Sequence, residues 1–192
     1  DIIKVGIGPG SICTTRLVAG IGVPQLSALL EVKKGLNKKV KMISDGGIKF
    51  SGDIAKALAA GADAVMVGSM LAGTSEAPGN IIKKKGKLFK VFRGMGSVGA
   101  MNKGSADRYF QKKQKDKSKY VPEGVEGLIK YKGEVSKTIH KLIGGLRSSM
   151  GYLGAPEIKY LSKKAKFVKI TKAGFYESMV HSIDAVSYTH LT

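Results

Sequence analysis

Near the start of the chain, apolar residues fall in three short runs, and each run ends in glycine and small polar residues. Residues 2–7 (IIKVGI) are apolar apart from Lys4 and enter a glycine-rich turn. Residues 40–44 end at Asp45, Gly46 and Gly47, and residues 64–67 end at Gly68 and Ser69. Apolar runs of this length, without polar alternation, predict strands buried on both faces. Between them, residues 24–32 (PQLSALLEV) have helical spacing, with proline in an acceptable first-turn position. Residues 51–60 (SGDIAKALAA) predict a second helix stopped by Gly61, and residues 70–72 begin a further element. Three strands, each followed by a helix, predict an α/β fold with a parallel sheet covered on both sides. A doubly wound sheet and a (β/α)8 barrel fit this order equally, and a barrel binds ligands in the loops after its strands.

From residue 92 the pattern changes to FRGMGSVGAMNKGSADRYFQ, a lysine-rich stretch, and then YVPEGVEGLIKYKG. About 40 glycine-rich residues without a clear helix predict a functional lid or a disordered segment. Regular patterning resumes with an amphipathic helix over residues 135–150, interrupted by Gly144 and Gly145. It continues with an element at 158–162 and a short strand at 167–170. Residues 186–192 (VSYTHLT) look like the translated end of a sequencing-library transposon adapter and are set aside from fold reasoning.

Composition narrows the class. The 192 residues are 43% hydrophobic, enough for one sizeable core, and the 26 glycines cluster at the ends of apolar runs, where loops bind ligands. A single cysteine excludes an internal disulfide and fits a reducing, cytoplasmic setting. No run approaches the roughly 20 apolar residues of a membrane span, so a soluble protein is expected. The 33 basic and 14 acidic residues give a formal charge of +19, which alone would suggest nucleic acid, an anionic membrane or a polyanionic substrate. The lysines fall in runs at 83–87, 112–119 and 163–169, without interleaved aromatics or a recognition helix. A solvated basic surface that attracts nucleotide substrates explains them better than a nucleic-acid interface does.

The candidate chemistry lies in residues 5–16, VGIGPGSICTTR. Gly6, Gly8 and Gly10 allow backbone N–H groups close to a bound anion, and Ser11 adds a hydroxyl donor beside the lone Cys13. The turn can therefore seat a phosphate next to a thiolate nucleophile. A buried structural cysteine is the competing reading of these residues taken alone. The run GIGPGSICTTR, followed by AGIGVPQL, resembles the active-site loop of the inosine monophosphate dehydrogenase and guanosine monophosphate reductase family. The resemblance extends nearly to His181. The segment Arg108-Tyr109-Phe110, in a long flap spanning about 92–133, is similar to the dehydrogenase branch.

What the resemblance implies can be stated by residue. The three strands would be the last three of a (β/α)8 barrel, within a catalytic unit spanning 1–185. A fragment lacking the other five strands would leave two parallel edges unpaired and would not by itself close the barrel or be active. Cys13 would attack C2 of inosine 5'-monophosphate (IMP), hydride would pass to NAD, and water would hydrolyse the resulting thioimidate to xanthosine 5'-monophosphate. Gly6, Ile7 and Gly8 would lie beside the nicotinamide. Ser11, Gly47, Gly68 and Ser69 would hold the phosphate with Gly46 packed beside them, and Phe92, Arg93 and Gly94 would complete that wall. Asp45 would accept from both ribose hydroxyls, Met95 and Gly96 would line the base, and Glu123 would face the purine edge. Thr15 and Tyr109 would help position water, and Arg108 would take its proton. A potassium ion would sit on the carbonyls of Gly8, Gly10 and Cys13, completed by Glu177, Ser178 and Met179 of a neighbouring subunit in a homotetramer.

Some features sit uneasily with that pattern. Arginine normally stays protonated, so the residue chemistry of Arg108 alone points to a phosphate or carboxylate clamp. The family usually has tyrosine where this chain has Phe92, which removes one hydroxyl donor to the phosphate. Two other functions remain open at this point: NADPH-dependent guanosine monophosphate reduction on the same scaffold, and a basic nucleic-acid-binding module supported by net charge alone.

Overall fold

The computed structural model describes residues 1–183. Expectations for residues 186–192 and for a boundary at 185 lie outside the described residues. Strand β1 (Ile2–Val5) leads through the cysteine loop into a short helix α1 (Thr15–Val18) and then α2 (Gln25–Gly35). Strand β2 (Lys41–Asp45) is followed by α3 (Ser51–Ala59), and β3 (Ala64–Met66) by α4 (Ser69–Ala72). These strands form a parallel sheet in the order β1-β2-β3, with Lys4 opposite Ile43 and Asp45 opposite Met66. The expected strand–helix order is therefore present, with β1 ending at Val5 because the glycine loop starts sooner than its apolar residues suggested.

The expected cover on both sides is absent here, and the two faces of this sheet differ. Ile3, Val5, Met42 and Val65 pack with α2, α3 and later helices around a core that includes Leu29, Ile54, Leu58, Leu142 and Leu161. The opposite face carries Ile2, Lys4, Ile43, Asp45 and Met66, and Ile2 and Met66 remain 63% and 44% exposed. Strand periodicity sends alternate residues to opposite faces, so the register that buries Met42 turns Asp45 to the uncovered side.

Next comes an antiparallel sheet of β4 (Ile81–Lys84), β5 (Lys87–Arg93) and β6 (Glu126–Lys130), in that order. This sheet was not apparent in the sequence. The β4–β5 hairpin turns at Lys85 and Gly86, both at positive φ, as a two-residue hairpin of matching twist requires. A Lys-Gly pair inside a lysine run is a faint version of the usual Asn-Gly signal, and the alternating lysines look like a solvated stretch.

The segment expected to lack helix contains a helical run: α5 (Val98–Ala100), a π-helical turn over Met101–Ser105 and a 3-10 turn over Ala106–Tyr109. Ser97 caps it by accepting the Ala100 N–H at 3.2 Å, and Met101, Ala106 and Tyr120 form a small core beneath it. Gln111 closes the lysine-rich excursion by pairing with both backbone groups of Val121. Helix α6 (Val135–Tyr152) runs unbroken through Gly144 and Gly145, contrary to the expected interruption. A Cβ on Gly145 would come within 2.0 Å of Ser51 Oγ, so glycine marks the crossing of α6 over α3. Residues 158–162 contain a 3-10 turn (Ile158–Tyr160) entering α7 (Leu161–Lys164), and α8 (Lys172–Glu177) follows. The strand expected at 167–170 does not form. Those residues run exposed, with no neighbouring strand among the described residues to pair with.

Candidate active site

A cavity of about 280 Å³ opens where the loops after β1, β2 and β3 meet the end of β5. Ser11 and Cys13 come from the first loop, Asp45, Gly46 and Gly47 from the second, and Gly68 and Ser69 from the start of α4. Phe92, Arg93, Gly94, Met95 and Gly96 form the wall that leaves β5, and Tyr109 and Glu123 arrive from the segment beyond it. Residues spread over more than 110 positions thus converge on one space. A larger groove of about 1090 Å³ between β6 and α6 shares no lining residue with this cavity.

The cysteine loop is held by its backbone. Cys13 N–H donates to Gly10 O at 3.0 Å, and Arg16 donates to Ile7 O and Val23 O from behind. The Cys13 thiol donates to Thr15 Oγ1 at 3.1 Å, and Thr15 is itself buried. A short β-bridge then joins Cys13 to Gly124: Thr14 N–H donates to Glu123 O at 2.9 Å and Val125 N–H to Ile12 O at 3.0 Å. Glu123 N–H continues the ladder to Gly96 O at 2.9 Å. Residues 123–125 are therefore threaded between the cysteine loop and the 94–96 wall. A Cβ on Gly96 would lie 2.9 Å from both Glu123 C and Tyr109 Cζ, so the Tyr109 ring rests on bare backbone there. Burial first, and then a charge on Cys13, pushes the Tyr109 phenol above its ordinary value; Arg108 opposes the rise and Glu123 adds to it. The phenol thus stays protonated and able to donate beside Cys13.

The sequence profile of the IMP dehydrogenase / GMP reductase domain matches residues 1–181. The chain belongs to this family. It is similar to the inosine-5'-monophosphate dehydrogenases of Rhizobium tropici (56% identical over 184 residues), Bacillus subtilis strain 168 (58% over 184) and Methanocaldococcus jannaschii (58% over 190). Each match covers 95% of this chain but 37 to 38% of the relative, so the chain spans little more than a third of their length.

Within this family member, all twelve expected substrate residues line the cavity, together with Cys13 and Tyr109. Others stand outside it. Gly6 abuts the Asp45 carbonyl, Ile7 is 59% exposed beside the loop, and Gly8 packs on Arg16. Arg108 precedes Tyr109 in the 3-10 turn but is exposed and does not line the cavity. Glu177 ends α8, and neither it nor Ser178 or Met179 reaches the cavity in this chain.

Sequence reasoning missed two supporting residues. Gln25, the first residue of α2, donates to Val5 O at 2.8 Å and Ser44 Oγ at 3.1 Å, tying β1 to β2 behind the Gly47 loop. Lys4 forms an ion pair with Asp45. Its signal was present, as the one charge inside an apolar strand.

No helix among the described residues is long and apolar enough to cross a membrane. Nor do those residues hold a cluster of three or more His, Cys, Asp or Glu side chains suited to a metal ion. The glycine loop offers backbone carbonyls instead, and such oxygens suit a weakly charged alkali cation better than a transition metal.

Proposed function

We propose that the protein containing this chain is a cytoplasmic, NAD-dependent IMP dehydrogenase, oxidising IMP to xanthosine 5'-monophosphate on the way to guanine nucleotides. The observation that carries this reading is the single cavity joining the Cys13 thiol to the phosphate-type loops at Ser11, Gly47 and Ser69 and to the Asp45 carboxylate. The relatives' names support it, and the Tyr109 phenol beside Cys13 favours the dehydrogenase branch over the reductase.

Cys13 Sγ forms a bond to purine C2 as a thiolate, and the C2–H bond breaks with loss of hydride. NAD, when bound against Gly6, Ile7 and Gly8, supplies the hydride acceptor. The thioimidate left on Cys13 then takes up water, the C–S bond breaks, and product leaves with the thiol restored. Thr15 holds the thiol and Tyr109 donates toward the water, while Asp45 accepts from the ribose diol and Glu123 faces the purine edge. Arg108 takes the water's proton when the part of the flap that carries it, between the 94–96 wall and residues 123–125, closes over the cavity.

The uncovered face of the parallel sheet supports a (β/α)8 barrel: Ile2, Ile43 and Met66 would face inward and be covered by strands outside this chain. The carbonyls of Gly8, Gly10 and Cys13 would hold a potassium ion, a hard, weakly charged cation suited to carbonyl oxygens. Exposed Phe175, Tyr176, Met179 and Val180 suit a neighbouring subunit that brings Glu177, Ser178 and Met179 to complete the site in a homotetramer.

Rapid mixing of the Arg108→Ala full-length protein with IMP and NAD tests this reading. The expected result is a burst of NADH near one equivalent per site, then very slow turnover as a nucleotide adduct accumulates on Cys13. Loss of the burst would make Arg108 a binding clamp, and NADPH oxidation with guanosine monophosphate in place of NADH formation would identify a reductase. Cys13→Ala should abolish turnover while IMP still binds.

A further inference from the structure

We propose that Lys4 is a positioning residue for the nucleotide: its ammonium fixes the Asp45 carboxylate that accepts the ribose hydroxyls, and so sets affinity for IMP. This rests on the dehydrogenase reading of the site.

Lys4 is the only charged residue in an otherwise apolar β1. In the parallel register it lies opposite Ile43, so Asp45, two residues on, projects from the same face on the neighbouring strand. The two side chains form an ion pair through Asp45 Oδ2. Asp45 lines the cavity while Lys4 does not, so the ammonium supports the carboxylate from the strand side. Lys4 contacts Oδ2 alone, and the carboxylate keeps acceptor lone pairs on both oxygens for the two ribose hydroxyls.

A lone carboxylate at a strand end can rotate about its side-chain torsions, and a diol is captured well only when the acceptor is fixed in advance. Lys4 removes that freedom by holding the carboxylate in an ion pair, and an acceptor fixed in this way loses less on capturing neutral hydroxyls. Half-exposed ion pairs contribute little to stability, and this one has a side-chain exposure of 43% at Lys4 and 27% at Asp45. Its value lies in orientation. On the inward face of a closed barrel the pair would also be drier and the orientation firmer.

The test uses the full-length protein with Lys4→Met, Lys4→Gln, Lys4→Arg, Asp45→Asn and the Lys4→Met/Asp45→Asn double variant. The measurements are kcat, KM and calorimetric Kd for IMP, with melting temperature as the check on folding. Lys4→Met and Lys4→Gln are expected to raise KM and Kd about tenfold while kcat changes less than about twofold, because orientation is lost from ground and transition states alike. Lys4→Arg should restore most of the affinity. In the Asp45→Asn background, Lys4→Met should add nothing, since its effect passes through that carboxylate. Additive effects, a fall in kcat with KM unchanged, or no recovery by arginine would overturn the proposal. Should Asp45→Asn leave Kd for IMP unchanged, the ribose assignment of Asp45 would itself fall, an outcome distinct from a failure of Lys4 alone.

Discussion

Lys90 is the least expected residue of the chain and supports a sharp prediction. It sits in β5 and is only 2% exposed, with no carboxylate partner among the described residues. Its ammonium donates to Thr74 O at 2.9 Å, Ser75 O at 3.2 Å and Ala77 O. Those carbonyls belong to the loop that joins α4 to the hairpin, and Glu76 in the same loop accepts the Val135 N–H at the start of α6. Replacing Lys90 by Met keeps the apolar stem but leaves the buried Thr74 carbonyl, and the part-buried bonds to Ser75 O and Ala77 O, without this donor. Each hydrogen bond to a charged group contributes about 1.5–3 kcal/mol, and the desolvation of the ammonium offsets much of the sum. A local loss of about 2–4 kcal/mol is expected. Native-state hydrogen exchange reads this directly: the Ser75 amide, bonded to Gly133 O, and the Lys132 amide, bonded to Gly73 O, should exchange roughly 30- to 1000-fold faster. The Ala60 amide, bonded to Lys56 O in the first core, should be unaffected. Exchange at Ser75 and Lys132 within about threefold of the parent would refute the reasoning.

Two further outcomes are expected at the site. Gly96→Ala places a Cβ against the Glu123 backbone and the Tyr109 ring; displacing both should cost about 1–3 kcal/mol and lower kcat/KM for IMP about ten- to a hundredfold, whereas an unchanged value would mean that the ring does not rest on Gly96. The Tyr109 phenol is raised in the folded protein, so the unfolded chain releases its proton first. Its contribution to stability is full below the ordinary tyrosine range and falls as pH rises through and above it. Spectrophotometric titration should show a late-ionising phenol that disappears in Tyr109→Phe, and the alkaline decline in stability should flatten in that variant.

The sequence by itself determined the parallel unit and most of the site. Local causes sufficed for this: buried parallel strands read as unbroken apolar runs, their helices carry proline and glycine stops, and the ligand residues follow the strands at once. Cys13, Asp45, Gly68 and Ser69 were legible because each ends or follows such a run, and the family resemblance supplied the roles that residue chemistry left open. Tertiary structure alone decided the rest. In the antiparallel sheet, β5 pairs with β6 across about thirty intervening residues, and no local signal encodes a partner that far away. Lys90 is identical in sequence to its solvated neighbours, and only pairing between β5 and β6, with the 74–77 loop folded over it, makes its ammonium a buried clamp. The helical turns over 98–109 gain stability from burying Met101, Ala106 and Tyr120 together, although their glycines argue against helix when read in isolation. The pairing of Lys4 with Asp45 follows from the register of β1 against β2, which one residue of slip would have turned to the opposite face.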